Sequence, residues 1–130
     1  MSQSPDQLVQ VVFRSQPAEH LDDSRVQTLA ADWGARHLDL NLSGLLIRFQ
    51  TTMFVGVIEG PCAAAMARLE TISSDSALDG LVVLREARIS RRRFDTWRFQ
   101  DLRTADGDAV LRLIGGLFAQ KLSRELHKTT

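Results

Sequence analysis

An α+β fold with the element order βαββαββ, closed by a C-terminal helix, is predicted by three observations. Two apolar runs of strand length, Leu45 to Phe49 and Met53 to Ile58, are separated only by Gln50, Thr51 and Thr52. They read as two central antiparallel strands joined by a tight turn. Two stretches flanking this hairpin, Leu21 to Arg36 and Pro61 to Ser74, repeat apolar residues every three to four positions and read as helices. Leu8 to Phe13 at one end and Leu81 to Ile89 at the other are apolar and β-branched, and supply further strands.

Taken in order, residues 1–6 are polar and contain a proline, the composition of a flexible tail. Leu8-Val9-Gln10-Val11-Val12-Phe13 reads as a strand covered on both faces, ended by Arg14-Ser15-Gln16-Pro17. In the first helix Asp22, Asp23 and Ser24 are candidate caps, and Val26, Leu29, Ala30 and Trp33 form one apolar stripe, with Gly34 weakening the last turn. Glu59-Gly60-Pro61 closes the hairpin and opens the second helix, since proline loses nothing in a first helical turn. That helix places Cys62, Ala65, Met66, Leu69 and Ile72 on one side, with Arg68 and Glu70 outside it. Asp75 to Gly80 is a turn rich in helix breakers, Ser90-Arg91-Arg92-Arg93 reads as a solvated basic turn, and Phe94 to Phe99 as a short edge strand. Val110, Ile114, Leu117, Phe118 and Leu122 give Gly107 to Leu126 an apolar helical face, interrupted near Gly115-Gly116.

A chain of 130 residues is long enough for one core, so the organisation reads as a tail (1–6), a domain (7–102) and a C-terminal helical extension (103–130). Sixteen basic and sixteen acidic side chains cancel, which leaves no net field to draw the molecule to nucleic acid or membrane. The single cysteine, Cys62, excludes an internal disulfide and a cysteine-rich metal site, and its place at the start of a small-residue helix suits a buried structural thiol. No apolar run is long enough to span a bilayer and no signal-peptide pattern begins the chain, so a cytoplasmic location is expected. His20, His37 and His127 are scattered, no Gly-rich phosphate loop occurs, and no nucleophile is spaced with a base. Neither an enzyme nor a metal site is expected.

The motifs Leu42-Ser43-Gly44, Phe54-Val55-Gly56-Val57-Ile58-Glu59-Gly60 and Arg92-Arg93-Phe94-Asp95-Thr96-Trp97 occur in this order between about Leu8 and Phe99. In that order and spacing the chain resembles the BLUF family of flavin-dependent blue-light sensors, whose counterparts are Ile-Thr-Gly, aromatic-x-Gln-x-Leu-Glu-Gly and Arg-x-Phe-x-x-Trp. The resemblance implies a ferredoxin-like sandwich: a mixed sheet with two helices on one face and the C-terminal helix on the other. It also implies a flavin ring held between the two helices and a C-terminal helix that contacts partners or a second copy.

Against that family pattern the site positions read differently. The family's photochemical tyrosine falls on Phe13, which keeps the ring but lacks the O–H, and Ser15 follows it as in the family triplet. The asparagine that holds the ring's polar edge falls on His37, whose imidazole cannot present a paired amide donor and acceptor. The lone histidine also suits a C-terminal helix cap. The switching glutamine falls on Gly56, which has no side chain to rearrange, and Gln50 lies about six residues, roughly 20 Å of strand, away. The flavin-assisting arginine falls on Ala77, and Trp33 stands where the family has a small residue and can either fill the ring's slot or serve as core. Trp97 matches the family's tryptophan, with Phe99 replacing a nearby methionine.

The expectation is a BLUF-like signalling or regulatory module without flavin photochemistry, carrying no cofactor and acting through a protein partner or self-association, not through nucleic acid or membrane. The alternatives are an FAD-binding photoreceptor or flavoprotein with substitute residues, and a module that takes another small ligand between its helices.

Overall fold

The computed structural model describes residues 6–17, 22–49, 53–75 and 78–102. The hairpin turn 50–52, Ala77 and the expected C-terminal extension from residue 103 lie outside the described residues, as does most of the expected tail. Along the chain run β1 (Leu8–Pro17), α1 (Asp23–Asp39), β2 (Ser43–Phe49), β3 (Met53–Pro61), α2 (Cys62–Ser73), β4 (Leu78–Arg88) and β5 (Trp97–Leu102). The sheet order is β4-β1-β3-β2-β5, antiparallel throughout except for the parallel pair β2–β5. This is the α+β class that the element order predicted, with the mixed sheet that the resemblance implied.

β3 lies at the centre, and Met53 to Gly60 are all buried. Its uninterrupted apolar run follows from cover on both faces, which removes any need to alternate. On one face Val12, Leu45, Ile47, Met53, Val55, Val57 and Leu84 form a buried cluster. On the other, alternate residues of β1, β2 and β3 pack beneath α1 and α2, with Trp33, Phe13, Phe54, Leu46 and Ile58 among its largest members. Each such side chain contributes about 1.5–3 kcal/mol by leaving water.

Several element ends differ from the sequence reading. β1 continues four residues past Phe13, because Ser15 still pairs with Phe54 on β3 while Gln16 and Pro17 pair with Asp79 and Leu78 on β4. Ser15 therefore sits inside the sheet and not in a terminating loop. The Asp22 side chain caps α1 by accepting from the Arg25 backbone N–H at 2.9 Å. The helix passes Gly34, where an added Cβ would meet Trp97 at 3.4 Å, and ends at Asp39. Asn41 then turns the chain through the left-handed region (φ 58), and the Leu42 N–H returns to the His37 carbonyl at 2.8 Å. Gly44 permits the close pairing of β2 with β3: at its φ of 144° a Cβ would run into the Val57 carbonyl.

Candidate functional site

The sheet register decides which side chains meet. Phe13 on β1 pairs with Gly56 on β3, Gly56 with Leu46 on β2, and Leu46 with Phe99 on β5, so these four form one row beneath the helices. One row along, Ser15, Phe54, Arg48 and Asp101 are partners in the same way, and Arg48 is anchored to Asp23 of α1 at 2.7 Å. In the third row Ile58, Gly44 and Trp97 follow. Phe13 and Gly56 are thus cross-strand neighbours, and the phenyl ring lies over the bare α-carbon. A Cβ built on Gly56 would come closer than 3.0 Å to Cζ, Cε1 and Cε2 of Phe13. The glycine is there for space, because its backbone is not in the left-handed region.

The two helices add the opposite wall. Val26, Ala30, Trp33 and His37 are the buried stripe of α1, and Ala65, Arg68 and Ile72 that of α2. Arg68 corrects the expectation that it lies outside: it is only 6% exposed. Its Nε donates to His37 Nε2 at 2.8 Å, and its guanidinium carbon stands 5.0 Å from the centre of the Trp33 ring. The His37 ring meets Trp97 at a centroid distance of 4.2 Å, edge to face, and Trp33 lies 6.0 Å from His37 and 6.2 Å from Trp97. Trp33, His37, Arg68 and Trp97 together fill the space between α1 and the sheet. The sequence signal for Arg68 was its spacing, three residues after Ala65 and four before Ile72, which its charge obscured.

His37 is fully buried and is not a helix cap through its side chain. Because Nε2 accepts from Arg68, the imidazole is neutral with its hydrogen on Nδ1. Burial, and then the Arg68 charge, push its pKa from the ordinary 6.5 down to about 3. Between those values the unfolded chain binds a proton that the folded chain refuses, so stability is full above pH 6.5 and falls as pH drops through this window. Between pH 7 and 5 the protein is expected to lose about 2 kcal/mol more than His37→Gln, which still accepts from Arg68 but does not titrate. Urea midpoints at the two pH values check this, and equal losses would show that another group is responsible.

The basic turn is more than solvated surface. Arg91 and Arg93 are exposed, but Arg92 is half-buried and donates to Ser43 Oγ at 2.8 Å, the Glu59 carbonyl at 3.1 Å and the Asn41 carbonyl at 2.7 Å. The fully buried Glu59 carboxylate accepts from the backbone N–H groups of Arg93 (2.8 Å) and Phe94 (3.0 Å) and from Gln10 Nε2 (2.5 Å). This clasp takes the donors of Arg93 and Phe94, and β5 begins at Trp97 instead of Phe94. It holds the segment that delivers Trp97 to His37.

Residues 8–100 match the profile of the family described as BLUF, sensors of blue light using FAD. The chain belongs to the BLUF family. BlrB, a BLUF protein in its dark state, shares 25% identity at a TM-score of 0.74, covering 98% of this chain and 100% of that one. Klebsiella pneumoniae BlrP1 in a calcium and cyclic di-GMP complex shares 28% identity at a TM-score of 0.71, over 82% of this chain but 27% of that longer one. A bacterial light-regulated adenylyl cyclase shares the fold at 18% identity and a TM-score of 0.74, over 94% of this chain and 35% of that one. No curated protein matches.

Of the BLUF-equivalent positions, Phe13 and Gly56 are in contact, and Trp33, His37 and Trp97 share one aromatic cluster. Ser15 lies one row away on the same sheet face, its Oγ without a partner among the described residues, and Ala77 is outside the described residues. Cys62 is half-buried at the start of α2, packed against the core beneath the helices. Among the described residues no helix is long and apolar enough to cross a membrane.

Proposed function

We propose that this BLUF protein is a regulatory module that has given up flavin photochemistry and signals through contact with a protein partner or a second copy. The observation that carries the reading is steric: the Phe13 ring occupies the space above Gly56 where a glutamine side chain would stand. The residues present also fit a flavin poorly. Trp33 and Arg68, stacked between the helices and tied to His37, take up room that a planar tricyclic ring would need. Of the polar groups in the cluster, none is an amide that could pair a donor and an acceptor with one ring edge. The apolar periodicity of residues 107–126 supports a contact helix.

A flavin-binding photoreceptor with substitute residues is the competing reading, favoured by family membership and by Trp97, an oxidisable ring held against His37. Absorption and gel filtration of the purified protein mixed with FAD separate the two. The expected result is a colourless protein that elutes without flavin. A yellow protein carrying one flavin per chain, with bands that shift on illumination, would overturn the proposal.

A further inference from the structure

β4 stands at one end of the sheet order, so among the described residues its strand neighbour is β1 and its outer side is an open edge. The middle of that edge, Leu81-Val82-Val83-Leu84, carries neither charge nor proline, and Val82 and Val83 are 38% and 37% exposed. Alternate N–H and C=O groups of such a strand point away from the sheet, where another strand can pair with them. Soluble proteins ordinarily guard an edge of this kind with charges, proline or β-bulges. The centre of β4 has bulges alone, and their placement leaves one pairing open.

Two bulges interrupt the pairing of β4 with β1. Val12 is opposite Arg85 while Phe13 is opposite Val83, which leaves Leu84 as an extra residue. Arg14 is opposite Val82 while Gln16 is opposite Asp79, which leaves a second extra residue at Gly80, where φ is 61°. Asp79, Val82 and Arg85 therefore stand against Gln16, Arg14 and Val12, alternate residues of β1 that share one sheet face. Leu81 and Val83 turn to the other face, where Leu81 packs against the cluster beneath the helices and Val83 is opposite Phe13. Gly80 and Leu84 lie equally far from Val82 on its two sides. The edge is thus symmetric about Val82, both in its bulges and in the faces that its side chains take.

We propose that β4 pairs with β4 of a second copy, antiparallel across a two-fold axis at Val82, so that one sheet runs through both copies. Opposite residues of an antiparallel pair share a face, and a two-fold axis perpendicular to the sheet sets one residue against itself. Centred on Val82, the pair brings Leu81 to the partner's Val83 and Asp79, which is exposed, to the partner's Arg85, and it sets bulge against bulge. Centred on Leu81 it would set Asp79 against the partner's Val83, and centred on Val83 it would set Leu81 against the partner's Arg85. Both join residues of opposite faces. The Val82 register alone among these three matches the faces and joins opposite charges, twice per dimer. Because the pairing consumes the same edge on both copies, it closes as a dimer and does not propagate. The inference deepens the reading of a module that acts through contact with a second copy, and the two fail separately. Flavin co-elution would sink that reading and leave the edge untouched, whereas a protein that stays monomeric sinks only this interface.

The test is sedimentation equilibrium of the full chain over a concentration series. A pairing this short buries less than a standard interface, so a dimer with a Kd on the order of 10–100 μM is expected. Val82→Lys sets two like charges against each other at the axis and is expected to keep the protein monomeric up to about 500 μM. Asp79→Arg or Arg85→Asp alone is expected to weaken the dimer about tenfold. The two together in one chain should restore it to within a few fold, since each new side chain meets its opposite again, and that rescue also shows that the substituted chains fold. Val82→Cys is expected to give a disulfide-linked dimer on mild oxidation, and the unsubstituted protein, whose one cysteine is the half-buried Cys62, is not. A monomer at every concentration overturns the proposal. So does a dimer that survives Val82→Lys, a double charge swap no better than its singles, or assembly that grows beyond two copies.

Discussion

Gly56→Gln, the change that would restore the side chain typical of a BLUF switch, is expected to destabilise this protein by about 4 kcal/mol instead of returning function. The new Cβ would overlap three atoms of the Phe13 ring, which is fully buried and has little room to yield. Overpacking a core by a few atoms costs about 1–3 kcal/mol, and a buried amide without partners adds a similar amount. For a domain whose whole stability is of order 5–15 kcal/mol, that is a large fraction. Phe13→Ala alone should also destabilise, by emptying the same space, yet the double substitution should be less harmful than the sum of the singles by about 2 kcal/mol. Urea unfolding of the four proteins gives that coupling energy. Additive losses would mean that the ring is not what excludes the side chain, and the steric basis of the proposed function would go with it.

Glu59→Ala is the second large effect, an expected loss of about 3–5 kcal/mol. The carboxylate is fully buried and receives three donors, two from the backbone of the 90–96 segment and one from Gln10, and alanine leaves them without acceptors. Glu59→Gln should cost only about 1 kcal/mol. Its remaining oxygen can accept the two backbone N–H groups, while its new amide N–H₂ can donate to Gln10 Oε1, which has no partner among the described residues. Because this clasp positions the start of β5, Glu59→Ala should also expose Trp97 and move its fluorescence to the red, and Glu59→Gln should not. Equal losses for the two substitutions, or no change at Trp97, would show that the clasp does not hold the segment.

The two predictions differ in how far the sequence alone could have reached them. Family motifs placed Phe13 and Gly56 at the tyrosine and glutamine positions, so each change was legible separately. That they are one change was not, since it depends on the register pairing β1 with β3 and on the direction of a phenyl ring. Glu59 reads in the sequence as a strand end and a member of the family motif, and nothing in local spacing announces that its carboxylate will accept from a loop more than thirty residues later. Arg68 and Arg92 depart from the sequence expectation for one shared reason: in a sequence, charge reads as exposure. Arg68 is instead buried and donates to His37, and Arg92 is half-buried and donates to Ser43 and Asn41.

The residue order by itself determined the element order, the two helical stripes, the buried hairpin and the BLUF assignment, because periodicity and motif spacing are local properties of a chain. Tertiary structure alone decided that β5 runs parallel to β2, that Phe13 stands on Gly56, and that Trp33, His37, Arg68 and Trp97 close the space between helix and sheet. Each of these joins residues far apart in sequence through register and side-chain direction. Such contacts are settled only when the whole core packs at once.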